Sequence, residues 1–258
     1  NIAWRMAERT MNVTTKMNTK PHALVLTAPG TNRHPDVMFA LELAGATASS
    51  LNLNQLHDQP SAISDAQIIV IAGGFSFADA LGAGRLFALE LSHLVGDALR
   101  TAVSKGTPII GICNGFQTLV RMGMLPGVND AALGHNESGG FQCRWVTMQP
   151  VSKKSVWTKH LTQDIYCPIA HGEGRFTCSD DTLASLQHND QIALTYTTNP
   201  NGSRADIAGV CDESGLVLGL MPHAENHVVA RQHPQFHRGA RNGLGLHLFT
   251  QGVLHATS

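Results

Sequence analysis

Gly111-Ile112-Cys113-Asn114-Gly115-Phe116-Gln117 decides the reading of this chain. The apolar run Thr107-Pro108-Ile109-Ile110 precedes it, and a segment of helical character, Phe116 to Met122, follows. A strand that meets a helix through a one-residue turn forces that residue into strained backbone angles and leaves room only for small neighbours. Gly-x-nucleophile-x-Gly is the pattern of such an elbow, and cysteine holds the nucleophile position here. The turn raises the sulfur above the sheet edge, and the positive end of the next helix's dipole favours negative charge there. Most free cysteines are inert core residues. Glycines on both sides of this one, after a buried strand, argue for the reactive reading.

Outward from the elbow, strands and helices alternate. His22-Ala-Leu-Val-Leu-Thr27 reads as a buried strand running into Ala28-Pro29-Gly30-Thr31-Asn32. Pro35 then opens a helix with Met38, Leu41 and Ala44 at helical spacing, closed by Gly45. Gln67 to Ala72 is a second buried strand, followed by Gly73-Gly74-Phe75-Ser76-Phe77. A long amphipathic helix runs from about Gly84 to Val103, with Phe87, Leu91, Leu94, Ala98 and Ala102 on one face. Fully apolar strands alternating with helices predict an α/β fold, a mostly parallel open sheet with helices on both faces. Functional loops then belong at the carboxyl ends of its strands, where Gly30, Gly73-Gly74 and Cys113 all fall.

The second half is richer in strands. Phe141 to Val151, Gln191 to Thr198, Asp206 to Cys211 and Leu216 to Met221 read as strands, and Asp212-Glu-Ser-Gly215 as the turn of a hairpin. Leu244 to Leu254 closes the chain as a helix. No repeat and no linker stands out, so residues 21–258 are read as a single domain. Residues 1–20 are polar, carry four cations against Glu8 and have no core-forming periodicity. They are expected to be a disordered tail; a transit peptide and a start at Met17 are the other readings.

Composition excludes several classes. Net charge is −1 and only 14% of residues are charged, with no basic stripe, which argues against nucleic acid and against a charged membrane surface. No apolar run reaches the length of a membrane span. Cysteines 113, 143, 167, 178 and 211 are odd in number and lack a C-x-x-C pair, which points to a reducing cytoplasm rather than a disulfide framework or structural zinc.

A cysteine nucleophile needs a base and a group to orient that base. His223-Ala224-Glu225 follows the strand Leu216 to Met221 and Pro222. Residues two apart in extended chain project to one side, so this step sets a carboxylate beside its own imidazole. His171-Gly172-Glu173 has the same spacing, but glycines at 172 and 174 mark it as a flexible loop and a poorer rigid base. His223/His227 and His233/His237 are four apart, a spacing that suits metal ligands on a helix; Pro222 and Pro234 argue against both helices and against a metal site. Attack on an amide also builds an oxyanion that needs fixed N–H donors. Asn114, next after the nucleophile, and the Gly73-Gly74-Phe75 loop are the candidates.

Five segments carry a specific resemblance: Gly73-Gly74-Phe75-Ser76-Phe77-Ala78-Asp79, the elbow from Gly111 to Gln117, Pro168-Ile-Ala-His171-Gly-Glu173-Gly174-Arg175, Asn199-Pro-Asn-Gly-Ser203, and Met221-Pro-His223-Ala-Glu225. In this order the chain resembles the class I (triad) glutamine amidotransferases, a flavodoxin-like α/β family. Within that class it is similar to the glutaminase subunits of phosphoribosylformylglycinamidine synthase, from about residue 21 to 254. The elbow and the His-x-Glu step belong to the whole class; the segments at 171–175 and 199–203 narrow it.

The resemblance implies that Cys113 is the nucleophile, His223 the base and Glu225 the orienting acid. Gln117 would contact bound glutamine, Gly74, Phe75 and Asn114 would face the substrate, and Ser138, in the Asn136-Glu-Ser138-Gly-Gly-Phe141 loop, would belong to a second glutamine-holding segment. His171 and Glu173 would lie near the site mouth or a synthetase contact. The implied reaction is hydrolysis of L-glutamine to glutamate and ammonia, with no cofactor in this subunit. ATP and Mg would belong to a partner synthetase that aminates formylglycinamide ribonucleotide, since the chain has no G-x-x-x-x-G-K-[ST]. A small third subunit is left open. The chain departs from the family at Ala78, where glycine is usual, at Ala224, where proline is common, and at Asn226, where arginine is common. Rival readings are a glutaminase serving another synthetase, a stand-alone cysteine hydrolase and a non-catalytic interaction module; an intact Cys113, His223 and Glu225 set speaks against the last.

Overall fold

The continuous apolar runs become the centre of a nine-stranded sheet. The computed structural model describes residues 20–127 and 130–258; the tail expected over residues 1–20 lies, Lys20 apart, outside them. In chain order the strands are β1 (His22–Thr27), β2 (Thr47–Asn52), β3 (Ile68–Ile71), β4 (Ile109–Ile112), β5 (Ala132–His135), β6 (Gln142–Pro150), β7 (Ile165–His171), β8 (Glu173–Thr177), β9 (Ile192–Tyr196), β10 (Ile207–Cys211) and β11 (Val217–Leu220). The helices are α1 (His34–Leu43), α2 (Leu53–Asp58), α3 (Ala62–Asp65), α4 (Arg85–Ser104), α5 (Asn114–Arg121), α6 (Asp180–His188) and α7 (Leu246–Ala256).

The sheet order is β2-β1-β3-β4-β11-β10-β9-β6-β7, and β5 pairs with β8 in a separate two-stranded sheet. From β2 to β11 all neighbours are parallel. From β11 to β7 they are antiparallel, beginning with the expected hairpin of β10 and β11. Every residue of β3, β4, β10 and β11 is buried, as the position of these strands between two helical layers requires. α1 and α7 pack together on one face, and α4 packs on α2, α3 and α5 on the other.

The regions that the sequence left unread are half-buried or polar. Edge strand β2 is Thr-Ala-Ser-Ser-Leu-Asn, without an apolar run. β7 alternates buried and half-buried residues along its length, and β8 does the same. The carboxyl ends of β1, β3, β4 and β11 lie on one edge of the sheet, because these strands are parallel. β9 points the same way as β11 through two antiparallel steps and β7 through four, so their carboxyl ends join that edge. Among the described residues no helix is long and apolar enough to cross a membrane.

Candidate active site

Cys113 stands at the turn between β4 and α5 with φ 52° and ψ −108°, a strained conformation for a residue with a side chain. Its N–H donates to Leu220 O at 2.8 Å, which ties the turn to β11. Both elbow glycines are required sterically. A Cβ on Gly115 would run into the Ile71 carbonyl of β3, and one on Gly111 would lie 2.6 Å from Gly115 O. The first-turn N–H groups of α5 therefore open directly at the sulfur.

Strand register delivers His223. β11 lies beside β4 with Leu220 opposite Ile112, so the turn after β11 sits next to the elbow. The His223 N–H donates to Pro168 O at 2.8 Å. Its imidazole Nδ1–H donates to Glu225 Oε1 at 2.7 Å, which leaves Nε2 as the atom that can serve the sulfur. A methyl group placed on Gly73 would lie 3.1 Å from His223 Cε1 and 3.3 Å from Cys113 Cβ, so Cys113, His223 and the Gly73 backbone crowd one point. Burial opposes charge on His223. The Glu225 carboxylate, then the charge and hydrogen bonding of the Cys113 side chain, outweigh it and hold the imidazole well above the ordinary histidine range. Glu225 is fully buried, and its second oxygen has no partner among the described residues.

The outer edge of β7 docks this arrangement. Alternate carbonyls of a strand point the same way. Tyr166 O accepts from His227 Nδ1 at 2.6 Å, Pro168 O from His223 N and Ala170 O from Cys113 Sγ at 3.9 Å. Three carbonyls in step thus hold His227, His223 and Cys113 against the last strand of the sheet. Nothing in the local pattern at 165–171 announces this.

A cavity of about 160 Å³ opens beside Cys113, bounded by Gly74, Asp79, Gln117, Phe141, His171 and Glu173 among others. A larger open groove of about 740 Å³ runs along α4 past Leu81 and Leu89, but no cysteine, histidine or carboxylate lines it, so the smaller space is the candidate site. Asp79, His135 and Phe141 were not singled out as site residues. Asp79 and Phe141 stand at the ends of two recognised segments, and His135 carries no signal.

Several expected substrate contacts are placed differently. The Phe75 N–H is already donated to Gly30 O at 3.1 Å, so Phe75 faces the cavity without an amide to offer. Ser138 is exposed and does not border the cavity; its hydroxyl accepts from Gln142 Nε2 at 2.8 Å, and Phe141 is the residue of that loop that reaches the site. The Asn114 side chain is buried, accepts from Ser76 Oγ and donates to Asp79 Oδ1 at 3.2 Å and to Gln117 Oε1 at 3.0 Å. Gln117 borders the cavity, but its amide nitrogen donates to Glu173 O. Asn114 and Gln117 therefore build the wall as side chains. The N–H groups of Asn114 and Gly74 donate to no other group among the described residues.

His171-Gly172-Glu173 is not a flexible loop. His171 ends β7 and is buried, and Glu173 begins β8. Asn136 Nδ2 donates to His171 O at 2.8 Å and to Gly140 O at 2.9 Å, so its Oδ1 must accept, from His171 Nδ1–H at 3.0 Å. The His171 ring lies over Gly174, where any Cβ would collide with it. Burial, then the neighbouring His223, lowers the His171 pKa to about 4. Glu173 turns elsewhere and accepts from Ala83 N at 3.3 Å, with Arg121 at 3.7 Å. Asp79, half-buried and close to the Glu173 charge, has its carboxyl pKa raised by burial first and by Glu173 second.

The segment 199–203 clasps the start of β8. Asn199 Oδ1 accepts from the N–H groups of Asn201, Gly202 and Ser203. Asn201 Nδ2 then donates to Gly174 O at 2.8 Å, Ser203 Oγ accepts from Phe176 N at 3.1 Å, and Arg175 Nε donates to Gly202 O at 3.1 Å. The two segments that narrow the resemblance thus form one unit.

Of the remaining thiols, Cys167, Cys178 and Cys211 are held protonated chiefly by burial, Cys211 with its pKa pushed up to about 12; Cys143 is exposed. Among the described residues no group of three or more His, Cys, Asp or Glu is arranged to hold a metal.

Comparison with known proteins agrees with this geometry. The model of the CobB/CobQ-like glutamine amidotransferase domain matches residues 20–255. Phosphoribosylformylglycinamidine synthase subunit PurQ of Treponema denticola is 47% identical, over 91% of this chain and 98% of that protein. Its counterpart in Dehalococcoides mccartyi is 39% identical, over 91% and 97%. Among solved structures, a chain of PurLQS from Thermotoga maritima superposes with a TM-score of 0.73 at 34% identity, covering 92% of this chain and 98% of that one. A nucleophile elbow, a buried His–Glu pair and relatives matched over nearly their full length lead to one conclusion: the chain belongs to the glutamine amidotransferases, in the family of phosphoribosylformylglycinamidine synthase PurQ subunits.

Proposed function

We propose that this chain releases ammonia from L-glutamine through a Cys113-His223-Glu225 triad and supplies it to a synthetase subunit that makes formylglycinamidine ribonucleotide with ATP. The observation that carries the reading is the strained Cys113 elbow set against a buried His223–Glu225 pair at 2.7 Å. The Cys113 thiolate attacks the side-chain amide carbon of glutamine, and the carbonyl electrons move onto oxygen. The Gly74 and Asn114 N–H groups, committed to no other acceptor, receive that oxyanion. His223 Nε2 gives its proton to the amide nitrogen, the carbon–nitrogen bond breaks and ammonia leaves, with a glutamyl thioester remaining on Cys113. Water then attacks the thioester while His223 takes its proton, and glutamate departs as the thiolate re-forms.

Glu225 keeps Nδ1 protonated and offsets the imidazolium charge throughout. The acidic pair Asp79 and Glu173 on the cavity wall suits the α-ammonium group of a free amino acid. Nucleophile, acid–base group and oxyanion donors all come from this chain, so we expect no cofactor in this half. The acceptor chemistry, with ATP and Mg, is assigned to the synthetase, and a third subunit remains an additional partner to look for. The free thiols favour a cytoplasmic setting.

The test is Cys113→Ala in the complex with the synthetase. Glutamine-dependent product formation should vanish, while amination with added ammonium salt should persist, because external ammonia bypasses the thiol. Loss of both activities in an assembled complex would refute the division of labour.

A further inference from the structure

We infer that the loop from Val228 to Gly243 is a docking element for an acidic surface of the synthetase subunit, a proposal that rests on the function given above. From Asn226 to the last residue the sequence contains no aspartate or glutamate, yet it carries Arg231, Arg238 and Arg241. All three are exposed, and none is within ion-pair distance of a carboxylate among the described residues. The whole chain has a net charge of −1, so this positive stretch is local and left uncompensated. An ordinary solvated loop mixes both signs.

The loop is also held in shape. Both ends are fixed to one residue of β7: His227 Nδ1 meets Tyr166 O at 2.6 Å, and Tyr166 N–H donates to Gly243 O at 2.9 Å. Its inner side rests on aromatic rings, with the His233 ring 5.0 Å from that of Tyr166 and the His227 ring 5.4 Å from that of Trp145. Arg241 lies 3.8 Å from the centre of the Phe236 ring and donates to Phe236 O at 2.6 Å and Ala240 O at 2.7 Å. Its charge is presented at a set position, so less side-chain freedom is lost on binding. A loop that only needed solubility has no use for these anchors.

Position selects the occupant. The loop begins three residues after Glu225 and is pinned to β7, the strand whose Pro168 and Ala170 carbonyls hold His223 and Cys113. A partner seated on the loop therefore rests on the strand that supports the site. A nucleic acid fits less well, because the positive charge is confined to one short loop and forms no extended stripe. Complementary charge at such a site acts mainly on association rate and partner choice.

The experiment measures affinity of the full chain for the purified synthetase subunit at low and physiological salt. Arg231→Glu/Arg238→Glu, which leaves the Arg241–Phe236 packing intact, should weaken binding on the order of tenfold at low salt and flatten the salt dependence. The triple variant with Arg241→Glu should weaken it further. Labelling of Cys113 by a glutamine-analogue inhibitor in the free subunit should match the wild type, which also reports correct folding. Wild-type affinity and salt slope in the double variant would overturn the docking assignment alone. Tight binding of wild type, but not of the variant, to a nucleic-acid oligonucleotide would overturn it in favour of another partner. Failure of the wild-type chain to bind the synthetase at all would overturn the functional reading and the docking proposal together.

Discussion

His223-Ala224-Glu225 and His171-Gly172-Glu173 share a spacing and differ in everything that makes a base. In the first, one turn of 3-10 helix over Ala224–Asn226 folds the carboxylate back onto its own histidine at 2.7 Å. In the second, the histidine closes β7 and the glutamate opens β8, so each finds its own partner: Asn136 for His171, Ala83 and Arg121 for Glu173. The electrostatic outcomes are opposite. His223 is pushed well above the usual histidine range, and His171 is held down at about 4. An imidazole becomes a base through the group on its other nitrogen, and backbone path rather than residue spacing decides which group that is.

The largest expected effect comes from exchanging the two histidines as targets. His223→Ala should slow glutamyl-thioester formation by about 10² to 10⁴-fold, the usual range for a lost acid–base group. His171→Ala should leave the acylation step within an order of magnitude of wild type and show itself in glutamine KM or in stability, because His171 borders the cavity and anchors Asn136. Rapid-quench measurement of the acyl-enzyme in both variants checks the pair. Blocked acylation in His171→Ala with near-normal acylation in His223→Ala would invert the comparison.

This contrast also marks what the sequence could disclose. The elbow, the apolar strands β1, β3, β4, β10 and β11 and the helices α1, α4 and α7 were legible because their signals are local: continuous apolar runs, helical periodicity and flanking glycines. β7 and β8 were not, since their alternating burial comes from neighbours far along the chain. The Cys113, His223 and Glu225 set could be named from motifs, whereas the β7 carbonyls that hold Cys113, His223 and His227 are backbone atoms at Ala170, Pro168 and Tyr166 and leave no residue signature. Ser138 lies outside the cavity for a related reason. A loop can be recognised as a substrate loop while the register that decides which of its side chains points inward is set by contacts elsewhere, here by Asn136 and Gln142.

The opposed histidine shifts sharpen the comparison through pH. His171 has a folded pKa of about 4 against an unfolded value near 6.5, so the unfolded chain takes up its proton first as pH falls. Its contribution to stability is complete above about pH 6.5 and is lost on the way down to about pH 4, a total of about 3 kcal/mol for a group so deeply buried. His223 runs the other way: its folded pKa is raised, so its contribution is complete below about pH 6.5 and is lost as pH climbs through the raised value. Urea unfolding across pH should therefore show His171→Gln flattening the acid side of the profile and His223→Gln flattening the alkaline side. The same flattening in both variants would mean that the two imidazoles share one environment.

The smallest effect concerns the loop that keeps Glu173 away from His171. Phe77, Ala78 and Asp79 all adopt left-handed backbone angles, with Ala78 at φ 54° and ψ 31°. The same loop then reaches Ala83, whose N–H holds the Glu173 carboxylate. A left-handed conformation costs a residue with a Cβ roughly 1–2 kcal/mol. Glycine removes that strain but loses more chain entropy on folding, about 0.5–1 kcal/mol. Ala78 is exposed, so its methyl group contributes little packing to offset the gain. Ala78→Gly should then stabilise the chain by up to about 1 kcal/mol, read as a modest rise in Tm. Because the substitution leaves the loop path unchanged, Glu173 should stay on Ala83 and glutamine KM should not move. A drop in Tm would show that the left-handed run is not strained. A rise in Tm accompanied by a higher KM would show that the strain itself keeps Asp79 and Glu173 in place, and that the second His-x-Glu step is held apart by stored backbone energy as well as by its hydrogen-bond partners.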